Sequence, residues 1–222
     1  MTNPTTEPSA RLIGLLALPI IVYLSTRWIH IFITDAHTYL IYDYTGRLLI
    51  LIYVICIPEV RAFALSCYQR PWRGRQGRLP WGVLFAITVI IQCFGWELAG
   101  YLSQPLNSSQ VHTKLFIPIH IEEVWLQLVD LSLGLALVAF SEELLFRGIM
   151  KRLLESVIEN KIAIIFVASL IFGLMHWPGG VGKIVNTGIT GVFFMVSYFY
   201  AKSLWPCTVA HYLINFIYFS EI

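Results

Sequence analysis

Seven long apolar runs separated by short polar stretches set the architecture that this chain can adopt. They lie at about residues 12–33, 39–58, 81–103, 124–149, 162–177, 184–204 and 206–220. A helix that crosses a bilayer needs about 20 mostly apolar residues. Strands of a membrane barrel would alternate apolar and polar residues, and Leu49-Ile50-Leu51-Ile52-Tyr53-Val54-Ile55 does not alternate. The fold class expected is therefore all-α: a polytopic transmembrane bundle of about seven helices. Composition agrees, with 57% hydrophobic and 13% charged residues and a mean hydropathy of +0.71, against about 25% charged in soluble domains. A formal net charge of +2 offers too little basic surface for nucleic acid, so none is expected as a partner.

Residues 1–11 are polar and rich in Pro and Thr and read as a disordered tail. No basic stretch with a small-residue cleavage site precedes the first apolar run, so that run reads as a retained helix and not a removed signal peptide. Orientation follows the basic residues. Arg61, Arg70, Arg73, Arg75 and Arg78 crowd the segment between the second and third runs, with Glu59 as its acid. That segment is expected in the cytoplasm, together with the N-terminus and with Lys151, Arg152, Lys161 and Lys202. The 104–123 segment and the C-terminus then face outward. Cys56, Cys67, Cys93 and Cys207 show neither CxxC pairing nor metal-ligand spacing, and in apolar surroundings they read as small hydrophobes.

Three polar clusters interrupt the later runs: Glu142-Glu143-Leu144-Leu145-Phe146-Arg147, Phe172-Gly173-Leu174-Met175-His176 and His211-Tyr212-Leu213-Ile214-Asn215. An ionisable group at membrane depth costs roughly 2.5–3.5 kcal/mol on insertion scales, so it persists where it is paired, hydrated or functional. Glu143 and Arg147 share a helical face and can pair. Glu142, about 100° away, is expected to point elsewhere and to be free to accept a proton from water. Taken alone, the Glu–Arg pair also suits an ion pair that joins two helices, while His176 reads more readily as a helix-ending structural residue and His211 with Asn215 as an interhelical hydrogen-bonding contact. Depth permits the clusters to meet. If the fourth helix left the membrane at Met150, Glu142 would lie roughly 12 Å and His176 roughly 21 Å from the cytoplasmic face. They come level if that helix stays immersed to about Glu155, or if it breaks near Ser141, a candidate N-cap.

The ordered set EExxxR, FxxxH and HxxxN on successive apolar segments resembles the CPBP family of intramembrane proteases, named for CAAX proteases and bacteriocin-processing proteins. The resemblance covers about residues 124–219, includes the Gly148 that follows the first motif, and implies a division into variable N-terminal helices (12–123) and a protease core (124–222). It implies an endopeptidase in which Glu142 and His176 activate a water and His211 and Asn215 hold the oxyanion. Glu143 and Arg147 would brace the site, Glu143 being also a candidate second participant. The substrate implied is a membrane protein or peptide with a hydrophobic or lipidated tail, cut at the bilayer. The location implied is a bacterial inner membrane.

No cofactor is expected. A glutamate and two histidines are also a zinc-type ligand set, but Asn215 beside His211 suits an oxyanion site better. HExxH and Gly-x-Ser-x-Gly are both missing from the sequence, which removes the usual zinc and serine protease motifs. Cys207, four residues before His211, is a weaker candidate nucleophile. Arg27, His30, Asp43, Arg47, Glu97 and Asp130 read as structural, with Asp43 and Arg47 pairing at i,i+4. The alternative from another class is a non-catalytic membrane binding or immunity protein of the same fold. A small transporter fits less well, because no repeat symmetry is evident.

Overall fold

The structure is a computed structural model that describes residues 9–29, 32–33, 35–69, 81–107 and 123–220. The start of the polar tail, His30, and Arg70, Arg73, Arg75 and Arg78 lie outside the described residues. Eight helices and no strand occur among the described residues: α1 (Ala10–Ile29), α2 (Ala36–Cys56), α3 (Pro58–Tyr68), α4 (Trp81–Asn107), α5 (Val124–Leu154), α6 (Lys161–Leu174), α7 (Gly180–Ala201) and α8 (Trp205–Ser220). Each of the seven apolar runs is mainly helical among the described residues. The eighth helix, α3, lies in the charged segment, where Pro58 at its first turn and Glu59 after it suit a helix start.

Segments His37–Cys56, Gly82–Leu106, Val124–Leu154 and Trp177–Ala201 are long and apolar enough to cross a membrane, while Ala10–Thr26 and Lys161–Leu174 are apolar but shorter. Large apolar side chains such as Leu49, Ile52, Ile90, Phe94 and Tyr200 face outward, each more than half exposed. Soluble monomers rarely show such contiguous apolar surface; lipid is its natural neighbour. This is a membrane protein.

The centre of the bundle is the second half of α5. Every residue from Ser141 to Met150 is buried, although a bundle helix ordinarily leaves one face to lipid. Complete burial means that helices surround this stretch on all sides. Leu16, Ile20 and Tyr23 of α1, Ile50 and Val54 of α2, Val60 and Cys67 of α3, and Ala168 and Phe172 of α6 share one apolar core with Leu144, Leu145, Phe146 and Ile149. The helix does not break at Ser141. It continues to Leu154, and residues Leu144–Met150 form a wide π-helical stretch, a feature frequent at functional sites.

Two connections fix the C-terminal helices. After α6 the chain turns through Trp177–Gly179 into Gly180, whose φ of 80° suits glycine. A Cβ on Gly173 would come within 2.7 Å of the Ile184 carbonyl oxygen, so glycine there lets α6 and α7 approach closely. The two last apolar runs, nearly fused in sequence, separate at Lys202, which takes a left-handed conformation. Beyond it the Leu204 amide donates to the Cys67 carbonyl of α3 at 2.9 Å.

Candidate active site

Residues Glu142, Glu143 and Arg147 of α5 and His211 of α8 form one buried polar cluster. Glu143 is fully buried and Arg147 almost so. The Arg147 guanidinium lies 3.1 Å from Glu143 Oε1 and sits between two aromatic rings, 4.2 Å from the Phe172 centroid and 5.0 Å from that of Phe194. A desolvated cation between ring faces gains about 2 kcal/mol or more. His211 Nδ1 is 2.7 Å from the same Glu143 oxygen. A carboxylate only accepts, so Nδ1 carries the proton in that bond. The other nitrogen, Nε2, lies 3.8 Å from Glu142 Oε2. His211 thus stands between the two glutamates.

Glu142 is not free, as the sequence had suggested. Its Oε1 accepts from the Tyr23 hydroxyl at 2.7 Å and from Arg47 Nη2 at 2.9 Å. Arg47 also donates to Asp43 Oδ2 at 2.6 Å, the expected i,i+4 pair, and through Nη1 to the Ser141 hydroxyl at 2.8 Å. Ser141 itself donates to the Val138 carbonyl, one turn back within the helix. Both glutamates are therefore paired with a guanidinium, Glu143 within α5 and Glu142 across to α2. A buried carboxylate that lost its partner would leave an uncompensated charge, which explains why each has one.

His176 lies just past the end of α6, half-buried, with Nδ1 2.9 Å from the Phe172 carbonyl oxygen. That oxygen can only accept, so Nδ1 is the donor and a neutral ring keeps its lone pair at Nε2. The Phe172 ring links the parts of the site, with its centroid 4.9 Å from the His176 ring, 6.4 Å from the His211 ring and 5.0 Å from that of Phe146. Asn215 is half-buried one turn beyond His211 on α8, and its side chain forms no hydrogen bond among the described residues. The structure thus brings Glu142, Glu143, Arg147 and His211 into direct contact, gathers His176 around the shared phenylalanine, and sets Asn215 on the helix that carries His211.

Tyr23 and Lys183 gave no signal in the sequence. Tyr23 is one of eleven tyrosines, and only the fold sets it against Glu142. Lys183 opens α7 with its Nζ 4.5 Å from the centre of the Tyr218 ring and within electrostatic reach of Glu142. Asp130 accepts from the Tyr44 hydroxyl, in keeping with a structural role. Cys207 is fully buried, with its Sγ 3.4 Å from Gln92 Nε2, the setting of a packed small side chain.

Among the described residues, no group of three or more His, Cys, Asp or Glu side chains is placed to hold a metal ion.

Residues 124–217 match the family model described as type II CAAX prenyl endopeptidase Rce1-like. No curated protein and no solved structure matches the chain.

Proposed function

We propose that this chain, whose residues 124–217 match the Rce1-like model of type II CAAX prenyl endopeptidases, is an intramembrane endopeptidase. The reaction is hydrolysis of a peptide bond in a membrane protein or peptide with a hydrophobic or lipidated tail, without a covalent intermediate and without a metal ion. Water loses a proton to Glu142, aided by His176, as its oxygen attacks the scissile carbonyl. The carbonyl oxygen becomes an oxyanion that takes hydrogen bonds from His211 Nε2 and the Asn215 amide. The tetrahedral intermediate then collapses, the C–N bond breaks, and the departing nitrogen takes the proton from the Glu142 carboxyl. A carboxylic acid and an amine result, and proton exchange turns them into carboxylate and ammonium.

One observation carries this reading: His211 lies between two buried carboxylates, 2.7 Å from Glu143 and 3.8 Å from Glu142. With Nδ1 donating to Glu143, Nε2 bears a proton only when the ring is an imidazolium. The cluster supplies the negative charge that such a cation needs, and Nε2–H is then a charged donor for an oxyanion. The backbone bond of His176 fixes the tautomer in which it would assist Glu142. Positive-inside counting puts the N-terminus in the cytoplasm, and the membrane proposed is a bacterial inner membrane.

The test is cleavage of membrane peptide libraries in detergent by the wild type and by Glu142→Ala, each with and without a chelator. Cleavage by the wild type alone, indifferent to the chelator, is expected. Equal processing by both proteins contradicts the proposal, and would favour a binding or immunity role for the same fold. Loss of wild-type cleavage on chelation would bring a metal ion into the reaction.

A further inference from the structure

Glu142 takes two of its hydrogen bonds from outside the matched residues 124–217: from Tyr23 on α1 and Arg47 on α2. Both end on the same oxygen, Oε1. The other oxygen, Oε2, is the one on the His211 side, 3.8 Å from Nε2. A carboxylate whose first oxygen is gripped twice can neither rotate about its terminal bond nor withdraw along the helix. The grip is itself held in place. Arg47 is 3% exposed, its Nε is bound to Asp43, its Nη1 to Ser141 and its Nη2 to Glu142, and its carbon stands 5.5 Å from the centre of the Tyr23 ring. The planar fork of a guanidinium, with each of its three nitrogens bonded, is held in one orientation here. A lysine ammonium has no such fork.

The charges sharpen the argument. If Arg47 served only to neutralise a buried acid, Asp43 at i,i+4 on its own helix would suffice. The guanidinium instead spans Asp43 and Glu142, and a hydroxyl from α5 completes its set of partners. Arg47, Arg147 and the proposed His211 imidazolium stand against Asp43, Glu142 and Glu143, so the cluster balances its charges.

We propose that Arg47, seated by Asp43 and Ser141 and assisted by Tyr23, is the positioning residue for Glu142: it fixes Oε1 so that Oε2 meets the attacking water beside His211. The inference rests on the reading of Glu142 as the water-activating acid. It makes the active site a product of two regions, in which α1 and α2 supply the bonds that aim an acid belonging to the C-terminal domain. Arg47 and Tyr23 act through Glu142 and do not themselves touch substrate.

The experiment is steady-state cleavage of one membrane peptide, in detergent, by Glu142→Ala, Arg47→Gln, Arg47→Lys, Tyr23→Phe and Arg11→Gln, with melting temperature measured for each. Arg11 belongs to an exposed ion pair with Glu59 on the same side of the sequence and serves as the control, with wild-type kcat expected. Arg47→Gln should lose about a hundredfold or more in kcat with KM within about threefold, the mark of an interaction needed in the transition state. Arg47→Lys keeps the charge without the fork and should recover part of that loss. Tyr23→Phe removes one bond to a charged acceptor and should cost roughly tenfold in kcat at an unchanged melting temperature. If Arg47→Gln does not fold, Arg47→Lys and Tyr23→Phe decide the matter: wild-type kcat in both overturns the inference. An inactive Glu142→Ala beside a fully active Arg47→Gln overturns the inference and leaves the protease reading standing. An active Glu142→Ala overturns both.

Discussion

Two adjacent glutamates belong to two different halves of the molecule. Glu143 is held from the C-terminal side, by Arg147 one turn along its own helix and by His211 of α8. Glu142 is held from the N-terminal side, by Arg47 of α2 and Tyr23 of α1. Each carboxylate meets one guanidinium, but the settings differ. Arg147 is stacked between Phe172 and Phe194, almost wholly within apolar and aromatic surroundings. Arg47 lies in a polar net with Asp43, Ser141 and Tyr23. Glu143 is thereby built into the packing, whereas Glu142 is built into a hydrogen-bond network. The comparison teaches that sequence adjacency says little about what a residue does: one helical step of about 100° gives the two acids different partners on either side of His211.

Substitutions can break that comparison. The largest effect is expected from Glu143→Ala, which strips the almost fully buried Arg147 of its carboxylate. Breaking a buried pair in this way costs about 3–5 kcal/mol, to be read as lost thermal stability in detergent together with lost cleavage. Phe172→Ala is expected to come next. It removes one of the rings around Arg147 and the ring against which His176 packs, and truncating a buried phenylalanine costs about 3–5 kcal/mol; thermal unfolding measures it, and the double variant with Glu143→Ala should fall short of the two losses added together, because both act through Arg147. Asn215→Ala should leave the fold intact and lower kcat by roughly 10²–10³, the usual cost of one oxyanion donor, with KM little changed. The smallest effect is expected from Lys183→Gln at the start of α7, where the cation faces Tyr218. A few-fold change, mainly in KM, is consistent with a charge at the edge of the site. A Lys183 effect larger than that of Asn215 would move the centre of the chemistry away from His211.

Much of the fold was legible in the sequence because the apolar runs are long, and spanning or near-spanning helices follow from length and hydropathy. The order of the three motifs pointed to the α5, α6 and α8 parts of the candidate site. Other features carried no local signal. Helix α3 lies among arginines that read as a loop, yet Pro58 and Glu59 start a helix there and Cys67 receives the Leu204 amide. Ser141 looked like a helix start, but α5 runs through it to Leu154, and this continuity is one of the two ways in which Glu142 and His176 were expected to come level. The Asp43–Arg47 pair was readable from its spacing. Its extension to Glu142 was not, since 95 residues separate the partners and periodicity reports only neighbours along one helix. The expectation of an unpaired Glu142 failed for the same reason. Its partners come from α1 and α2, and nothing in the 142–147 motif points to them.

The most direct test of the account is an experimental structure with a peptidyl phosphinate, a mimic of the tetrahedral intermediate, bound in the bundle. The expected result sets one phosphinate oxygen within about 3.2 Å of both His211 Nε2 and the Asn215 amide, and the other within about 3.2 Å of Glu142 Oε2, with Arg47 and Tyr23 still on Oε1. A mimic seated elsewhere, or bound with His211 and Asn215 on opposite sides of it and Glu142 out of reach, would contradict the claim that these side chains share one reacting centre.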